Sequence, residues 1–449
     1  MSEVIKIKRG LDIPLVGEAG KDILPVSVDE YALKPPDFPG LFPKLLVREG
    51  DQVKAGSAIY FDKYRENIRL TSPVSGTVTE VFRGPKRKLL EIRIKADAQQ
   101  EYIDFGAGDP AGMERADIVN KLIESGTWAY IRQRPYNVVA NPDDHPKAIH
   151  ISAFDSSPIG VDFDLVADQD PKAFEAGLAV LQKLTDGKVH LNVHETKTRS
   201  DVFLKAKGVQ LNRFSGPHPS GNVGIQIHHV DPVNKGEVVW VLDPQATIII
   251  GRLFLTGKYM AEKVIAFAGS EVEKPCYVKV MSGASVQAIT HGRVTDGNNR
   301  YISGSVLTGE NVGKHGYLGF YANQLTVIPE GDYYEMFGWI MPRFHKFSYN
   351  RSYFSWLMPR KKYRLDTNMN GGHRAFVLTG EYEKVFPMDI YPMQLLKAIM
   401  IKDIDLMENL GIYEVAEEDF ALCEFIDASK TEMQAIVREG LDYMRKEMS

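Results

Sequence analysis

The apolar residues of the first hundred positions come in short segments of four to six positions, as strands do. Lys44–Val47, Ala58–Phe61, Thr77–Phe82 and Leu89–Ile94 are separated by turns containing Gly, Pro or Asp. A helix needs its apolar residues to recur over about ten positions or more, so this stretch predicts a small β-sandwich. From about residue 110 the texture changes. Ala116–Glu124 spaces its apolar residues as a helix does, and Gly126 supplies a stop. Pro171–Leu184 predicts a stronger helix, with proline in its first turn and Phe174, Leu178, Leu181 and Leu184 on one face. Around these lie apolar segments that predict strands: Ala148–Ala153, Lys188–Val193, Glu237–Leu242 and Ala246–Ile250. Strand, helix and strand at this spacing imply an α/β layer with a parallel sheet. Tyr277–Val280, Val286–Ile289 and Arg300–Ser303 then predict a small β-rich unit broken by glycines. The end, over Tyr391–Leu410, Ala416–Phe425 and Thr431–Met448, predicts helices that must pack back on the rest to be stable. At 449 residues there is room for about three domains.

Several chemistries are excluded early. The formal net charge of −5 gives no general attraction to nucleic acid. The most apolar stretch, Val238–Leu255, is interrupted by Asp243, Pro244, Gln245 and Arg252, short of the ~18 apolar residues of a membrane span. The opening MSEVIKIKRG lacks the apolar core of a secretory signal, which predicts a cytoplasmic chain. Cys276 and Cys423 are the only cysteines, too few for an iron–sulfur cluster or a cysteine zinc site, and predict buried reduced thiols. No G-x-G-x-x-G joins a strand to a helix, and the glycine-rich Gly216–Gly224 carries two prolines at the wrong spacing, so it predicts a rigid connecting loop. His228 and His229 are adjacent, and in a strand would face opposite ways, a poor start for a metal site.

Two aromatic segments stand out as binding candidates. Pro35–Pro43 (PPDFPGLFP) is rigid and apolar; its four prolines exclude a helix and predict exposure. Trp128–Tyr136 (WAYIRQRPY) interleaves three aromatics with Arg132 and Arg134. Such a segment suits a flat ring bearing carbonyl oxygens, by stacking and by guanidinium hydrogen bonds, and equally suits a docking surface. Phe347–Trp356 (FSYNRSYFSW) has the same character.

Two turns add a fold. Val47–Gly56 sets two glycines around Asp51, and Thr71–Val78 is a Pro/Gly turn leading into a strand. Together they resemble the biotinyl/lipoyl barrel-sandwich hybrid. The pair Asp62-Lys63 invites comparison with a modified carrier lysine, but it lies too close to Gly56 for that hairpin. Matching segments continue along the chain: Ile5–Leu15, Gly216–Ser220 (GPHPS), Gly251–Gly257, Ser282–Ser285, Ile302–Thr308, Phe337–Pro342, Glu383–Tyr391 and Glu417–Cys423. In this order they resemble the A-subunit family of the sodium-translocating NADH:quinone reductases.

That resemblance implies four domains: a barrel-sandwich hybrid at 1–105, a Rossmann-like α/β domain at 106–256, a β-grasp (SLBB) domain at 257–330 and a C-terminal helical domain at 331–449. Related NADH-oxidising proteins cradle flavin phosphate on a glycine-rich loop; here Trp128–Tyr136 occupies that place without a glycine. The expectation is therefore a chain with no flavin, no iron–sulfur cluster, no metal and no catalytic residue of its own. NADH, flavin, cluster and sodium sites are expected in other subunits. The family implies a complex that oxidises NADH, reduces ubiquinone and exports sodium. This chain is expected as its peripheral subunit on the cytoplasmic side of the bacterial inner membrane, against an integral-membrane partner. Within that frame Phe38, Leu41, Phe42, Trp128, Tyr130, Arg132 and Arg134 are the candidate quinone-bordering residues. The alternative is a docking scaffold with no ligand contact.

Overall fold

The computed structural model describes residues 3–338, 341, 343–377 and 379–448. Trp339, Ile340 and Pro342 of the Phe337–Pro342 segment lie outside the described residues. Four sheets organise the described residues. Two small antiparallel ones come from the first hundred residues. Glu30–Leu33, Leu89–Ala96, Gly76–Arg83 and Gln52–Val53 form the first, and Pro43–Leu45, Ala58–Asp62 and Arg65–Thr71 the second.

A seven-stranded sheet follows, in the spatial order Val4–Lys6, Gln210–Ser215, Lys188–His194, Ala148–Ser152, Val239–Leu242, Arg132–Arg134 and Val138–Val139. Its first five strands run parallel, Arg132–Arg134 runs against them, and Val138–Val139 pairs antiparallel to Arg132–Arg134 in turn. One face carries Ile149, Ile151, Leu191, Val193 and Trp240 against the helices Pro171–Gln182 and Pro244–Thr256. These two helices cross at glycines: a Cβ on Gly251 would stand 1.8 Å from the Ala173 carbonyl oxygen, and one on Gly177 2.1 Å from that of Thr247. Only glycine permits this approach. Aspartates cap both helices, Asp170 accepting from the Ala173 N–H and Asp243 from that of Ala246, with proline next in each.

The six-stranded mixed sheet contains Glu310–Asn311, Asn299–Ser303, Gln324–Pro329, Glu262–Ala268, Cys276–Met281 and Ile23–Pro25. The chain's beginning therefore does not stay with its own small sheets. Val4–Lys6 pairs with the α/β sheet and Ile23–Pro25 with this one, because both offer an open parallel edge to a short apolar segment.

The helices Pro392–Met400, Ile404–Asn409, Ala421–Ile426 and Met433–Met448 pack around Leu396, Ile399, Phe420, Val437 and Leu441. Ile7, Ile13 and Leu15 from the chain's start join that core, as the amphipathic pattern requires.

Two strand expectations are corrected. Ala246–Ile250 lies inside the helix Pro244–Thr256, and Val286–Ile289 inside the helix Val286–Thr290. A buried helix and a buried strand both read as short apolar runs. His228 and His229 end the helix Val223–Val230 rather than sitting in a strand. His228 lies against Glu414 at 2.7 Å.

Candidate functional site

The segment with the two arginines takes its path from Gly126, whose left-handed backbone (φ +75°) ends the helix Arg115–Glu124. The next residues, Thr127–Tyr130, make one tight buried turn, and Arg132–Arg134 then joins the sheet antiparallel to Val239–Leu242. Trp128 is fully buried; its indole N–H donates to the Ala140 carbonyl at 2.8 Å and its ring meets Trp240 edge to face at 5.2 Å. Arg134 is 1% exposed and donates to Glu418 at 2.8 Å, with Asp419 at 3.9 Å. Burial pushes the Asp419 carboxyl up to about 7 although Arg134 draws it down. Arg132 alone of the pair keeps a solvent-facing side: it donates to Asn137 at 3.2 Å and lies 5.0 Å over the Tyr321 ring.

Three sheets meet beside it. Phe38 was expected at the surface with its prolines, but is 2% exposed. It packs on Phe320 at 4.9 Å and Tyr321 at 5.7 Å, while Tyr130 stacks on Phe320 at 4.3 Å. The Tyr130 hydroxyl reaches those of Tyr259 (3.1 Å) and Ser282 (3.2 Å). The same loop is gripped by charge: the Phe320 N–H donates to Asp37 at 2.7 Å, and Lys263 donates to the Phe320 carbonyl at 2.7 Å. Burial raises the Asp37 carboxyl to about 6 against the pull of Lys34, and lowers Lys263 to about 8 against the pull of Asp243 and Asp37.

Arg132 and Tyr321 open onto a cleft of about 220 Å³, with Phe154, Phe163, His218 and Asn222 among its walls. The cleft lies at the carboxyl ends of Ala148–Ser152 and Val239–Leu242. From Ala148–Ser152 the chain extends the sheet one way through Lys188–His194 and Gln210–Ser215, then returns to add Val239–Leu242 on the other side. Open α/β sheets bind ligands at such a reversal of strand order. The loop Gly304–Thr308 and residues Tyr321–Gln324 of the mixed sheet close it from above. A larger cavity of about 690 Å³ lies under the Phe347–Tyr353 stretch, which the sequence singled out as a third aromatic segment.

The seven candidate residues thus separate. Phe38, Tyr130 and Arg132 share the three-sheet junction; Trp128 sits in the α/β core and Arg134 against the C-terminal region. Leu41 is buried, and Phe42 is exposed against Tyr64 at 5.0 Å. The sequence reading missed Tyr259, Lys263, Phe320 and Tyr321. The run Gly316–Ala322 (GYLGFYA), three aromatics among two glycines, is the signal that could have flagged the last two.

The amino-acid sequence matches known proteins along most of its length. Residues 5–97 match the family described as NqrA N-terminal barrel-sandwich hybrid domain, and residues 113–259 the NqrA second alpha/beta domain. Residues 264–314 match the SLBB family described as NQRA C-terminal domain. The chain is 37% identical over 448 residues to the A subunit of the Na(+)-translocating NADH-quinone reductase of Yersinia pestis bv. Antiqua (strain Angola), covering 99% of this chain and 100% of that one. It is 38% identical over 450 residues to the same-named protein of Neisseria meningitidis serogroup A / serotype 4A (strain DSM 15465 / Z2491), with the same coverage. Half of the chain (50%) also aligns with 48% of a chain of an NAD+-reducing [NiFe]-hydrogenase in the air-oxidized state, at 14% identity and a TM-score of 0.36.

Proposed function

We propose that this chain, which belongs to the A-subunit family of the Na(+)-translocating NADH-quinone reductases, borders the site where its complex reduces ubiquinone. The complex oxidises NADH and reduces quinone, and this chain is one of its subunits. Among the described residues no helix is long and apolar enough to cross a membrane. Its place, in our reading, is peripheral, on the cytoplasmic face against an integral-membrane partner.

The observation that carries the quinone reading is the pairing of Arg132 with Tyr321 at the 220 Å³ cleft. A guanidinium held over an aromatic ring presents N–H donors beside a flat apolar surface, which is what a quinone ring with two carbonyl oxygens requires. Phe38, Tyr130 and Phe320 hold Tyr321 from behind. NADH, flavin and iron–sulfur chemistry belongs to other subunits in this reading. Trp128 and Trp240 fill the space after the Gly126 turn, where a flavin phosphate would need bare backbone. Cys276 and Cys423 lie in separate apolar cores. Burial raises the pKa of both thiols, away from the thiolate a cluster needs.

The scaffold reading has one observation in its favour: Trp128, Tyr130 and Arg134 already have internal partners. Replacing Arg132 by methionine in the assembled complex separates the two. The expected result is a rise of about tenfold in the KM for ubiquinone, the worth of one charge-assisted hydrogen bond, with NADH oxidation by an artificial acceptor unchanged. An unchanged KM supports the scaffold.

A further inference from the structure

The 22 residues from Arg343 to Arg364 hold seven Lys or Arg and seven aromatics, with no Asp or Glu, inside a chain whose net charge is −5. Four of those cations are answered by carboxylates elsewhere. Arg343 and Lys346 lie against Glu335, Lys362 against Glu18, and Arg364 forms a bidentate pair with Glu271. Arg351, Arg360 and Lys361 have no carboxylate partner among the described residues.

The three unanswered cations share a surface with apolar side chains. Trp356, Leu357 and Phe344 are 52%, 55% and 56% exposed. Arg351 stands 5.8 Å from the Trp356 ring, Lys361 donates to the Phe344 carbonyl at 2.6 Å, and Phe344 meets Phe354 at 5.4 Å. The inner side of the same segment is anchored: Tyr353 and Tyr363 are 6% and 2% exposed, and Phe347 and Tyr353 line the 690 Å³ cavity. Packing therefore holds this stretch in place, while among the described residues no carboxylate answers the cations of its outer side. Grouped exposed apolar residues mark an interaction surface.

We propose that this face, built on Phe344, Arg351, Trp356, Leu357, Arg360 and Lys361, seats on the anionic headgroups of a lipid bilayer. Such a layer offers phosphates at the level of the cations and acyl carbon just beneath them. Indole and phenyl rings rest at that boundary, and Arg and Lys lay their stems along it with their charges toward phosphate. The attachment lies on the membrane and does not span it. It is independent of the quinone reading, since neither Arg132 nor Tyr321 takes part.

The test is co-sedimentation of the purified full chain with vesicles of phosphatidylcholine alone, or with about one third phosphatidylglycerol, across a salt series. The expected result is binding to the anionic vesicles that weakens as salt rises, with a blue shift of tryptophan emission. Trp128 and Trp240 are already fully buried and contribute nothing to that shift. Trp356→Ala with Leu357→Ala should lower partitioning about tenfold, and Arg360→Gln about fivefold. Leu46→Ala, which removes an equally exposed apolar side chain from the first hundred residues, should change nothing. All of these positions are exposed, so the unfolding midpoint should stay at its parent value. No binding to anionic vesicles overturns the proposal. So does binding that these variants leave intact, or capture of a protein partner by this face without lipid binding.

Discussion

Replacing Trp128 by alanine should cost about 4 kcal/mol of stability, the range for a large aromatic removed from a packed core. Two separate losses add up. The indole is fully buried against Trp240, so its removal leaves a cavity between the sheet and the turn after Gly126. The Ala140 carbonyl also loses the N–H that reaches it at 2.8 Å. Trp128→Phe keeps much of the packing and surrenders the hydrogen bond, so it should cost about 2 kcal/mol. Urea unfolding read by far-UV circular dichroism measures both. If Trp128 were a surface group waiting for a ligand, the alanine variant would unfold at the parent midpoint.

Arg134→Ala should be of similar size, about 4 kcal/mol at neutral pH, because it removes a buried side chain together with the charge-assisted hydrogen bond to Glu418; the neighbouring Asp419 adds a pH-dependent part. The Asp419 side chain is 0% exposed, and its Oδ2 accepts the Ala416 N–H at 2.9 Å while Arg134 lies 3.9 Å away. Its folded pKa, about 7, already stands above the unfolded value of about 3.9. A carboxyl raised by folding contributes stability fully below its unfolded pKa and loses it as pH rises through the folded pKa. Without Arg134 the folded pKa climbs further, and Asp419 is protonated and tolerated in mild acid. Below about pH 6 Asp419 is protonated in both chains, so the variant's deficit should be constant there and should widen as pH rises from about 7 to about 9, by at most about 1.4 kcal/mol per pH unit. A deficit independent of pH across that window would show that packing, and not the uncompensated carboxylate, is what Arg134 supplies.

Elements with both a pattern and a punctuation were legible in the sequence. Pro171–Gln182 announces itself by Asp170, Pro171 and an apolar face, and the terminal helix by Met433, Val437, Leu441 and Met444 at helical spacing, all fully buried. Lys188–His194 alternates Val189, Leu191 and Val193 with polar residues, as a strand does. Where one of the two signals was missing, the reading failed. Ala246–Ile250 is buried on every side, so β-branched Thr247 and Ile248–Ile250 looked like strand, though Asp243 and Pro244 already marked a helix start. Pro35–Pro43 could not be a helix, but exclusion from a helix does not imply exposure. Its Pro35–Asp37 turn aims Phe38 into the junction. The site itself was half legible. Arg132 could be named from local composition, whereas Tyr259, Lys263, Phe320 and Tyr321 reach it only because two other sheets close over it. No local pattern encodes a meeting of residues so far apart in the chain.

The most direct test of the quinone reading is calorimetric titration of the purified full chain with a short-chain ubiquinone, beside Arg132→Ala and Tyr321→Leu. The account predicts saturable binding by the parent and a loss of about tenfold in affinity for Arg132→Ala, with a comparable loss when the Tyr321 ring is removed. Parent binding that both variants retain, or no binding by the folded parent, would contradict it and move the quinone to the partner subunits.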